Sequence, residues 1–321
     1  MRTAVSDFIN AFASSSSDLL TRALRKRASV QVDSITSCAS AELSDTVLTS
    51  PATVLHGSGC SVALVLERQL AFSILDTLLG GDGKTAVENR PFSDVEQAVA
   101  ASFMDKLSDC LNSIWRWGSD KDMTRDTMAE HFSESGFPAG KEMLSMAALN
   151  VSWDKSWRKM YVCIPDSDLD GVEAVLKNAF DSDGNVLLTV EMGSSNLDPA
   201  EAGQLGIGDV ICVTPPGGGL LVRAGKKAFC LAQSGAVGGL AAASILCRYE
   251  DQDSGPGTVT ALLGSVRKHW KEVLALDTGD VLVLDRKPQS PVPLLISGQP
   301  KAEGQVIVID KRLGVRIKKL L

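Results

Sequence analysis

Apolar and glycine positions in the last third of the chain follow one pattern twice. An apolar stretch ending in glycine is followed by a spacer, then by Leu-x-x-Gly-Asp and a second apolar stretch. The first copy occupies residues 190–193 and 205–211, and the second occupies residues 261–264 and 276–282. In each copy, the glycine of the Gly-Asp pair lies fifteen positions after the first glycine. The pattern predicts a duplicated small domain.

Each copy alone would be a module of about 60 to 70 residues, which buries too little apolar surface to be more than marginally stable. The copies are offset by 71 residues, from position 193 to position 264. This offset exceeds the roughly 20 to 50 residues of solenoid repeats. We therefore expect the two modules to bury each other's apolar faces, either within one chain or by exchange between chains.

Upstream of the repeat, short strand-like stretches alternate with stretches of helical periodicity, which indicates a mixed α/β domain. Strands are predicted at residues 30–35, 53–56, 60–67, 143–151 and 159–164, and helices at residues 70–79 and 168–180. The polar, glycine-containing residues 118–142 are predicted to form a loop with one short strand.

The N-terminal residues 4–27 also have apolar positions at helical spacing. The serines at residues 14–17 interrupt this pattern and predict the cap of a second helix that begins near Asp18. Two interpretations follow: the helices pack on the domain behind them, or they bind a partner.

The best-specified helix begins at Ser93. Ser93 and Glu96 form a capping box, and Phe92 is a candidate staple residue. An apolar stripe of about six turns follows and is expected to face the core. It consists of Val95, Val99, Phe103, Leu107, Leu111 and Ile114.

A glycine-rich loop formed by Gly80, Gly81, Asp82 and Gly83 ends the preceding helix. Its continuation, Gly-Lys-Thr, is like the end of a phosphate-binding loop. That motif needs a glycine at position 78, where this chain has leucine, and a strand before the loop, where this chain has a helix. We expect a tight exposed turn in which glycine supplies positive φ, and no nucleotide site.

Composition limits the classes of function. The chain has 321 residues, of which 44% are hydrophobic and 22% charged, as is typical of folded globular proteins. Its net charge of −7 argues against a nucleic-acid partner. The seven cysteines are dispersed without a C-x-x-C pair, and neither a signal peptide nor an apolar run of bilayer length is visible. The expected location is the cytoplasm.

The sequence offers little for catalysis. Its three histidines are far apart and have no cysteine or carboxylate at ligand spacing, so no metal or other cofactor is predicted. Asp209 and Asp280 each follow a glycine, Gly208 and Gly279, at a turn that precedes a strand. There a carboxylate bonds backbone N–H groups, so a structural turn is the preferred interpretation and no enzymatic activity is predicted.

These motifs together resemble a known family. The segment of residues 78–83, followed by Arg-Pro-Phe-Ser-Asp-Val-Glu at residues 90–96, resembles the middle domain of the flagellar motor switch family FliM. The twin Gly-Asp blocks resemble the SpoA domain that FliM and FliN share with type III secretion proteins. Residues 304–317 are similar to the end of FliN. The chain therefore looks like a natural fusion of the two.

The resemblance implies an α/β middle domain related to the phosphatases CheC and CheX. Its loop, Gly80 to Gly83, would contact the rotor protein FliG. The two SpoA domains would pair as an intertwined, barrel-like pseudo-dimer with Gly208, Asp209, Gly279 and Asp280 as turn residues. Further partners implied are FliN-type proteins or other copies of the chain in a ring, and an export regulator of the FliH type. These partners would hold the protein peripherally at the inner membrane.

The implied domains are a helical segment (1–28), a FliM-middle-like domain (29–181), SpoA domain 1 (186–249), a linker (250–257) and SpoA domain 2 (258–321). The leading hypothesis is a non-enzymatic component of the flagellar switch ring. One alternative is the sorting platform of a non-flagellar type III secretion system.

A second alternative is a CheY-type phosphatase on the middle domain. The phosphatase relatives carry a Glu and an Asn three residues apart, and Ser102 and Asp105 stand at those positions here. That departure argues against phosphatase activity. Residues 1–20 also lack the acidic-hydrophobic peptide with which the family docks CheY.

Overall fold

The computed structural model describes residues 3–84, 90–119, 121–137, 142–153, 156–215, 219–225, 227–248, 259–296, 298–309 and 312–321. The chain divides into two compact units, Met1–Gly184 and Asn185–Leu321. Of the described helices, none combines the length and the apolar content that crossing a membrane requires.

The first unit combines helices with one antiparallel sheet. Its helices are α1 (Thr3–Leu24), α2 (Asp45–Leu48), α3 (Arg68–Leu78), α4 (Asp94–Trp115) and α5 (Leu169–Ala179). Its strands are β1 (Ser29–Ala39), β2 (Ala52–Gly57), β3 (Cys60–Leu66), β4 (Thr124–Arg125), β5 (Met143–Trp153) and β6 (Ser156–Pro165). The strand order is β1-β5-β6-β3-β2-β4, and every pairing is antiparallel.

Both faces of this sheet are covered. On one face Val54 and Val65 join a core cluster with Phe132 and Phe137 from the segment after β4. Leu55 and Val62 have the opposite alternation along β2 and β3, and they are buried as well. The first unit is therefore the mixed α/β domain predicted from the sequence.

Helix α1 is part of this core, and the predicted break within it is wrong. The helix continues from Thr3 to Leu24 without interruption. The Ser17 hydroxyl accepts the N–H of Val30 at 2.8 Å and donates to the carbonyl of Ala13 at 2.9 Å. This serine ties α1 to β1 and does not cap a second helix. Phe8, which is fully buried, meets Trp115 of α4 edge to face at a ring distance of 6.3 Å. The geometry supports the packing interpretation of this helix.

Helix α4 begins at the predicted capping box, but its first turn does not face the core. Val95 is 62% exposed, so its assignment to the buried stripe is wrong. The buried positions begin one turn later and are Ala100, Phe103, Met104, Leu107, Ser108, Leu111, Ile114 and Trp115. Phe92 packs on Phe72 of α3, at a ring distance of 4.9 Å.

The second unit contains one ten-stranded sheet. It comprises α6 (Pro199–Ala202), α7 (Trp270–Ala275), β7 (Asn185–Ser195), β8 (Val210–Cys212), β9 (Leu220–Ala224), β10 (Lys227–Val237), β11 (Leu240–Arg248), β12 (Val259–His269), β13 (Val281–Val283), β14 (Val292–Ile296), β15 (Gln299–Ile309) and β16 (Arg312–Leu320). The strand order is β13-β11-β10-β9-β7-β12-β14-β15-β16-β8. The predicted linker, residues 250–257, lies outside the described residues.

The two copies of the repeat are interwoven in this sheet. Strands β7 and β12 open the two copies and pair with each other at its centre. Strand β8 of the first copy pairs with β16 of the second, and β13 of the second pairs with β11 of the first. The core accordingly mixes the copies, because Ile211 and Val213 lie among Val292, Leu294 and other second-copy residues. The exchange occurs within one chain.

The fold class predicted from the sequence is confirmed: an α/β domain precedes a β-rich pair of repeats. Closure of the pair into a barrel is a different matter. Strands β13 and β8 stand at opposite ends of the strand order, and the pairings of the described residues do not join them. The chain just after each of these strands bonds the centre of the sheet, because Thr214 and Ser194 of β7 exchange two backbone hydrogen bonds and the N–H of Asp285 donates to the carbonyl of Ser265 on β12.

Candidate interaction site

The glycine loop predicted as a contact site follows directly on the end of α3. Gly80, Gly81 and Asp82 are exposed, whereas Gly83 is buried. Gly80 and Gly83 have φ values of +99° and +79°, which the missing Cβ permits without strain. The loop therefore presents three residues outward and anchors itself through the fourth.

Asp76 of α3 organises the loop. Its backbone carbonyl accepts the N–H of Gly81 at 2.7 Å, and its carboxylate accepts the N–H of Gly83 at 2.8 Å. A Cβ at Gly83 would lie 2.7 Å from the Thr77 hydroxyl and 3.3 Å from the Trp153 indole nitrogen. Side chains other than hydrogen do not fit this turn, so glycine is required by packing as well as by φ.

The outer surface of the loop has an apolar part and a charged part. Leu79, next to the glycines, is 58% exposed, and Leu78 is 37% exposed. The Lys84 backbone N–H donates to the Asp82 carboxylate at 3.0 Å and holds the pKa of Asp82 below its usual range. The Lys84 ammonium lies 3.5 Å from the same carboxylate. A partner would meet two leucines beside an exposed ion pair.

A buried ion pair fixes the chain where it enters α4. The Arg68 guanidinium donates to the carboxylate of Glu130 at 2.8 Å and to the carbonyl of Thr49 at 3.1 Å. Glu130 in turn accepts the N–H of Phe92 at 2.9 Å. Arg68 also lies over the Phe92 ring, 5.1 Å from its centroid. One arginine thus joins α3, the start of α4 and the segment after β4.

The capping box of α4 is reinforced by a second arginine. The Ser93 hydroxyl accepts the N–H of Glu96, and the Glu96 carboxylate accepts the N–H of Ser93. Arg90 donates two hydrogen bonds to the same carboxylate, at 2.7 and 2.8 Å. These bonds, with those from Ser93, lower the pKa of Glu96 to about 2.

The two Gly-Asp turns of the repeat have matching geometry. Gly208 and Gly279 have φ values of +100° and +96°. The Asp209 carboxylate accepts the N–H of Gly206 at 2.7 Å, and the Asp280 carboxylate accepts the N–H of Asp277 at 2.9 Å.

Each turn also bonds the last strand of the other copy. The N–H of Gly208 donates to the carbonyl of Ile317, and the N–H of Gly279 donates to the carbonyl of Ile245, both at 2.9 Å. The four turn residues therefore lie where the strand exchange begins. Their carboxylates are engaged with backbone amides, as a structural role requires.

Sequence reasoning missed the groups that hold the loop and the helix entry. Asp76 sits on a polar helix position without any motif, and Arg68 and Glu130 are 62 residues apart, so no local pattern joins them. Lys26, just after α1, donates to the carbonyl of Asp82 at 3.4 Å. Among the described residues, no group of three or more His, Cys, Asp or Glu side chains is arranged to hold a metal ion.

The fold and these sites define a class: an α/β domain with an exposed glycine loop, followed by two interwoven β-rich repeats. Residues 2–180 match the family model described as flagellar motor switch protein FliM. Residues 255–321 match that of the type III flagellar switch regulator (C-ring) FliN C-term. Because the first match covers more than half of the chain, the protein belongs to the FliM family of flagellar motor switch proteins. The family resemblance of the motifs is confirmed.

Individual relatives match smaller parts. FliN of Borreliella burgdorferi is 35% identical over 63 residues, which are 20% of this chain and 56% of that protein. FliN of Escherichia coli is 38% identical over 66 residues, 21% of this chain and 48% of that protein. The flagellar motor switch phosphatase FliY of Bacillus subtilis is 35% identical over 66 residues, 21% of this chain and 18% of that protein. The chain spans about half of the length of the FliN relatives.

Among solved structures, the FliG-FliM complex from H. pylori contains a chain with 21% identity and a TM-score of 0.48, and the match covers 54% of this chain and 96% of that one. Thermotoga maritima FliY is 14% identical with a TM-score of 0.44, over 53% of this chain and 91% of that one.

Proposed function

We propose that this protein is a structural and interaction component of the flagellar motor switch, located at the cytoplasmic face of the inner membrane. Its loop from Gly80 to Gly83 would contact a FliG-type rotor protein, and its interwoven repeats would form part of the base of the switch ring. Family membership over residues 2–180 supports this role. The observation that carries it is the loop itself, which is outward-facing and fixed from behind by Asp76.

A rigid loop of this kind suits the transmission of force. Exposed leucines supply apolar contact area, while Asp76 and Gly83 hold the backbone in one conformation before the partner arrives. A preorganised surface loses less conformational entropy on binding than a mobile one. The contact would therefore transmit rotation by fixed geometry and without catalysis.

The test is binding of purified FliG from the same organism to the full chain. Leu79→Lys places a charge in the proposed contact and should weaken binding about tenfold or more, the effect of losing a central apolar anchor. Met143→Lys is the matched control, because Met143 is another exposed apolar residue of the first unit, at 44% exposure, and lies at the start of β5. If the Leu79→Lys variant binds FliG as tightly as the unmodified chain does, the loop is not part of the interface.

Substitutions at two glycines test whether FliG binding depends on the conformation of the loop as well as on its surface. Gly80 and Gly59 both have positive φ, +99° and +78°, and a Cβ at either would meet open space. Alanine should therefore strain both turns equally. We expect Gly80→Ala to weaken FliG binding and Gly59→Ala, in the β2–β3 hairpin, to leave it unchanged.

The phosphatase named among the relatives motivates a second measurement. Ser102 is exposed on α4, and Asp105 pairs with Arg125 at 3.1 Å, so the Glu and Asn of the phosphatase relatives are replaced by groups of different chemistry. We propose that the first unit is not a phosphatase. Faster decay of phosphorylated CheY on addition of the full chain would overturn this.

The ring base would also contact FliN-type proteins and a FliH-type export regulator. Deletion of the gene distinguishes the flagellar role from a role in a non-flagellar type III secretion system. We expect loss of motility with secretion by any non-flagellar system unchanged.

A further inference from the structure

Three separate segments of the chain meet around the glycine loop. Lys26, which follows α1, donates to the carbonyl of Asp82 at 3.4 Å. A Cβ at Gly83 would lie 3.3 Å from the indole nitrogen of Trp153, at the end of β5. The end of α1, the glycine loop and the β5–β6 hairpin therefore form one continuous surface.

The hairpin adds an exposed aromatic side chain to this surface. Trp157 is 60% exposed, as much as Leu79 of the loop at 58%. It stands directly across from Ser152 of β5, and Ser152 is paired in turn with Ser29 of β1. Residues directly opposite each other point to the same face of a sheet, so the indole shares its row with two small hydroxyl side chains. Tryptophan is mostly buried in proteins, and where it is exposed it is among the residue types most enriched as binding anchors.

The same surface is basic, although the chain as a whole carries a net charge of −7. The described residues of the three segments are 22–29, 79–84, 152–153 and 156–159. Their one acidic residue is Asp82, and their basic residues are Arg22, Arg25, Lys26, Arg27, Lys84, Arg158 and Lys159. Two of these cations, Lys84 and Lys159, are engaged in ion pairs with carboxylates.

Arg25 and Arg27 lie exposed just beyond the end of α1. Arg25 is the first residue after the helix and has a φ of +52°. Glycine or asparagine is usual at this position, because a Cβ disfavours the left-handed backbone. The fold alone would favour glycine, so an arginine here indicates a role in binding.

A protein partner covers roughly 800 Å² of each surface, a patch on the order of 30 Å across. A partner that binds the glycine loop would therefore also cover the end of α1 and the hairpin. We propose that the FliG contact extends from the loop across Arg25 and Arg27 to Trp157, and that it takes an acidic surface of the rotor protein. Charge complementarity selects this chemistry, since exposed arginines attract carboxylates. This inference rests on the proposed FliG contact and specifies the partner surface.

The arginines and the apolar side chains act on different steps of binding. Exposed charges at the rim of an interface mainly speed the encounter of the two proteins. An aromatic or apolar anchor that becomes buried mainly slows dissociation. The arginines therefore guide FliG to the surface, whereas Leu79 and Trp157 hold it there.

The charge component is tested with the full chain and purified FliG from the same organism. Arg25→Glu combined with Arg27→Glu should lower the association rate about tenfold at low salt. Added salt should shrink this difference, because exposed charges are screened. An association rate equal to that of the unmodified chain at low salt would overturn the role of the arginines.

The matched control is Lys121→Glu combined with Lys177→Glu, which makes the same change in net charge at two exposed positions. Lys177 belongs to α5, and Gly184 beyond this helix lies against Asp7 of α1. Asp7 is roughly 25 Å from Arg25 along α1, at about 1.5 Å per residue. We expect this control to associate with FliG at the unmodified rate.

Arg25→Gly separates a role in binding from a role in folding. The free energy of unfolding should stay the same or rise, because glycine accepts the positive φ. The association rate with FliG should nevertheless fall. If stability and binding are lost together, Arg25 acts through the fold and its place in the contact is wrong.

The aromatic component is measured by dissociation. Trp157→Ala should speed dissociation of the FliG complex at least tenfold and leave association nearly unchanged. Met143→Ala is the control, because Met143 is 44% exposed at the opposite end of β5. Nine positions separate Met143 from Ser152, on the order of 30 Å at about 3.3 Å per residue. Equal dissociation rates of the two variants would exclude Trp157 from the contact.

A basic surface with an exposed tryptophan also fits an anionic membrane. A fluid bilayer does not require a loop held in one conformation, whereas Asp76 fixes this loop through Gly83, so the structure favours a protein partner. Vesicles of phosphatidylethanolamine and phosphatidylglycerol in equal amounts test the choice. Vesicle binding that the arginine double variant loses, with its FliG association unchanged, would overturn the inference.

The experiments distinguish this inference from the proposed function. If Leu79→Lys weakens FliG binding and the arginine and Trp157 variants do not, the loop contact stands and its extension is wrong. If the unmodified chain does not bind FliG, both are wrong. Circular dichroism of each variant verifies that the fold is retained.

Discussion

At the scale of single residues, one carboxylate decides the shape of the proposed contact loop. Asp76 receives the N–H of Gly83 through its side chain and the N–H of Gly81 through its backbone. An amide whose partner is removed must find water or remain unsatisfied, at a cost of about 1 kcal/mol or more. The conformation of the loop therefore depends on a residue that lies within α3 and outside the loop.

Asp76→Ala should loosen the loop without unfolding the domain. We expect faster hydrogen exchange at the Gly83 amide and weaker FliG binding, since the turn loses its acceptor. Asp76→Asn retains an oxygen acceptor of the same size and should keep most of the protection. Unchanged exchange at Gly83 in the alanine variant would show that the turn is held by the glycines alone.

Glu96 carries a pH dependence of known direction. Its pKa is lowered to about 2 in the folded protein from an ordinary value of 4.5, chiefly by hydrogen bonds from Arg90 and then from Ser93. A lowered pKa stabilises the fold above the unfolded pKa, and that stability is lost as the pH falls from about 4.5 towards 2.

Glu96→Gln should therefore lower the free energy of unfolding by about 1 kcal/mol at pH 7, the usual value of a helix cap. The difference from the unmodified protein should shrink through the acid range and vanish near pH 2. Denaturant titrations at several pH values measure it, with Glu134→Gln as the exposed control. A difference that does not change with pH would contradict the assigned pKa.

At the scale of elements, the sequence predicted what local patterns encode. The capping box at Ser93 correctly marked the start of α4, and apolar alternation located strands such as β2 and β3. The error at Ser17 arose because its hydroxyl bonds β1, thirteen residues away, and local propensity does not include that partner. Val95 has the right spacing for the stripe, but spacing does not reveal how far a core extends.

Most residues of the candidate interaction site could not be predicted from local sequence patterns. The exposed loop was predictable because glycines mark turns. The residues that fix it were not: Asp76 belongs to no motif, and the Arg68–Glu130 pair forms only when distant segments meet. The strand exchange was equally hidden, since a repeat predicts pairing and does not specify which strand of which copy is the neighbour.

The first glycine of each repeat has different neighbours in the two copies. A Cβ at Gly193 would lie 2.8 Å from the backbone carbonyl of Thr214, whereas a Cβ at Gly264 would lie 3.0 Å from the side chain of Asp285 and 3.1 Å from that of Leu284. Side chains shift more readily than backbone. The same substitution should therefore have unequal consequences in the two copies.

Gly193→Ala should destabilise the second unit by about 1 to 3 kcal/mol, the usual range for overpacking, and Gly264→Ala by less. Chemical denaturation of the full chain, followed by a probe specific to each unit, measures both. Equal losses in the two variants would mean that the chain after β8 moves aside as easily as the side chains after β13.

At the scale of the whole molecule, the second unit is one body made from two copies. Neither copy supplies its own terminal strand, because β8 and β13 each pair with the other copy. Removing either copy would leave the other with an open ladder and an exposed core. The repeats are therefore separate in sequence and inseparable in structure.

Splitting the chain between the copies tests this. We expect residues 1–252 and 253–321, produced together as two polypeptides, to co-purify as a 1:1 complex. Residues 1–252 produced alone should keep a folded first unit that binds FliG, while the second unit gives no dispersed amide signals in NMR spectra. A folded second unit in residues 1–252 alone would contradict the exchange.

The pairing of β8 with β16 also determines when the second unit can fold during synthesis. Val210 leaves the ribosome about 100 residues before its partner Arg316, an interval on the order of 5 to 20 s at ordinary rates of synthesis. Until then Ile211, which is buried in the finished protein, has no core to enter. The first unit can fold during translation, but the second must wait for the end of the message. A chain whose synthesis stops early exposes apolar surface and is prone to aggregate. The cell can therefore assemble only subunits whose synthesis was completed.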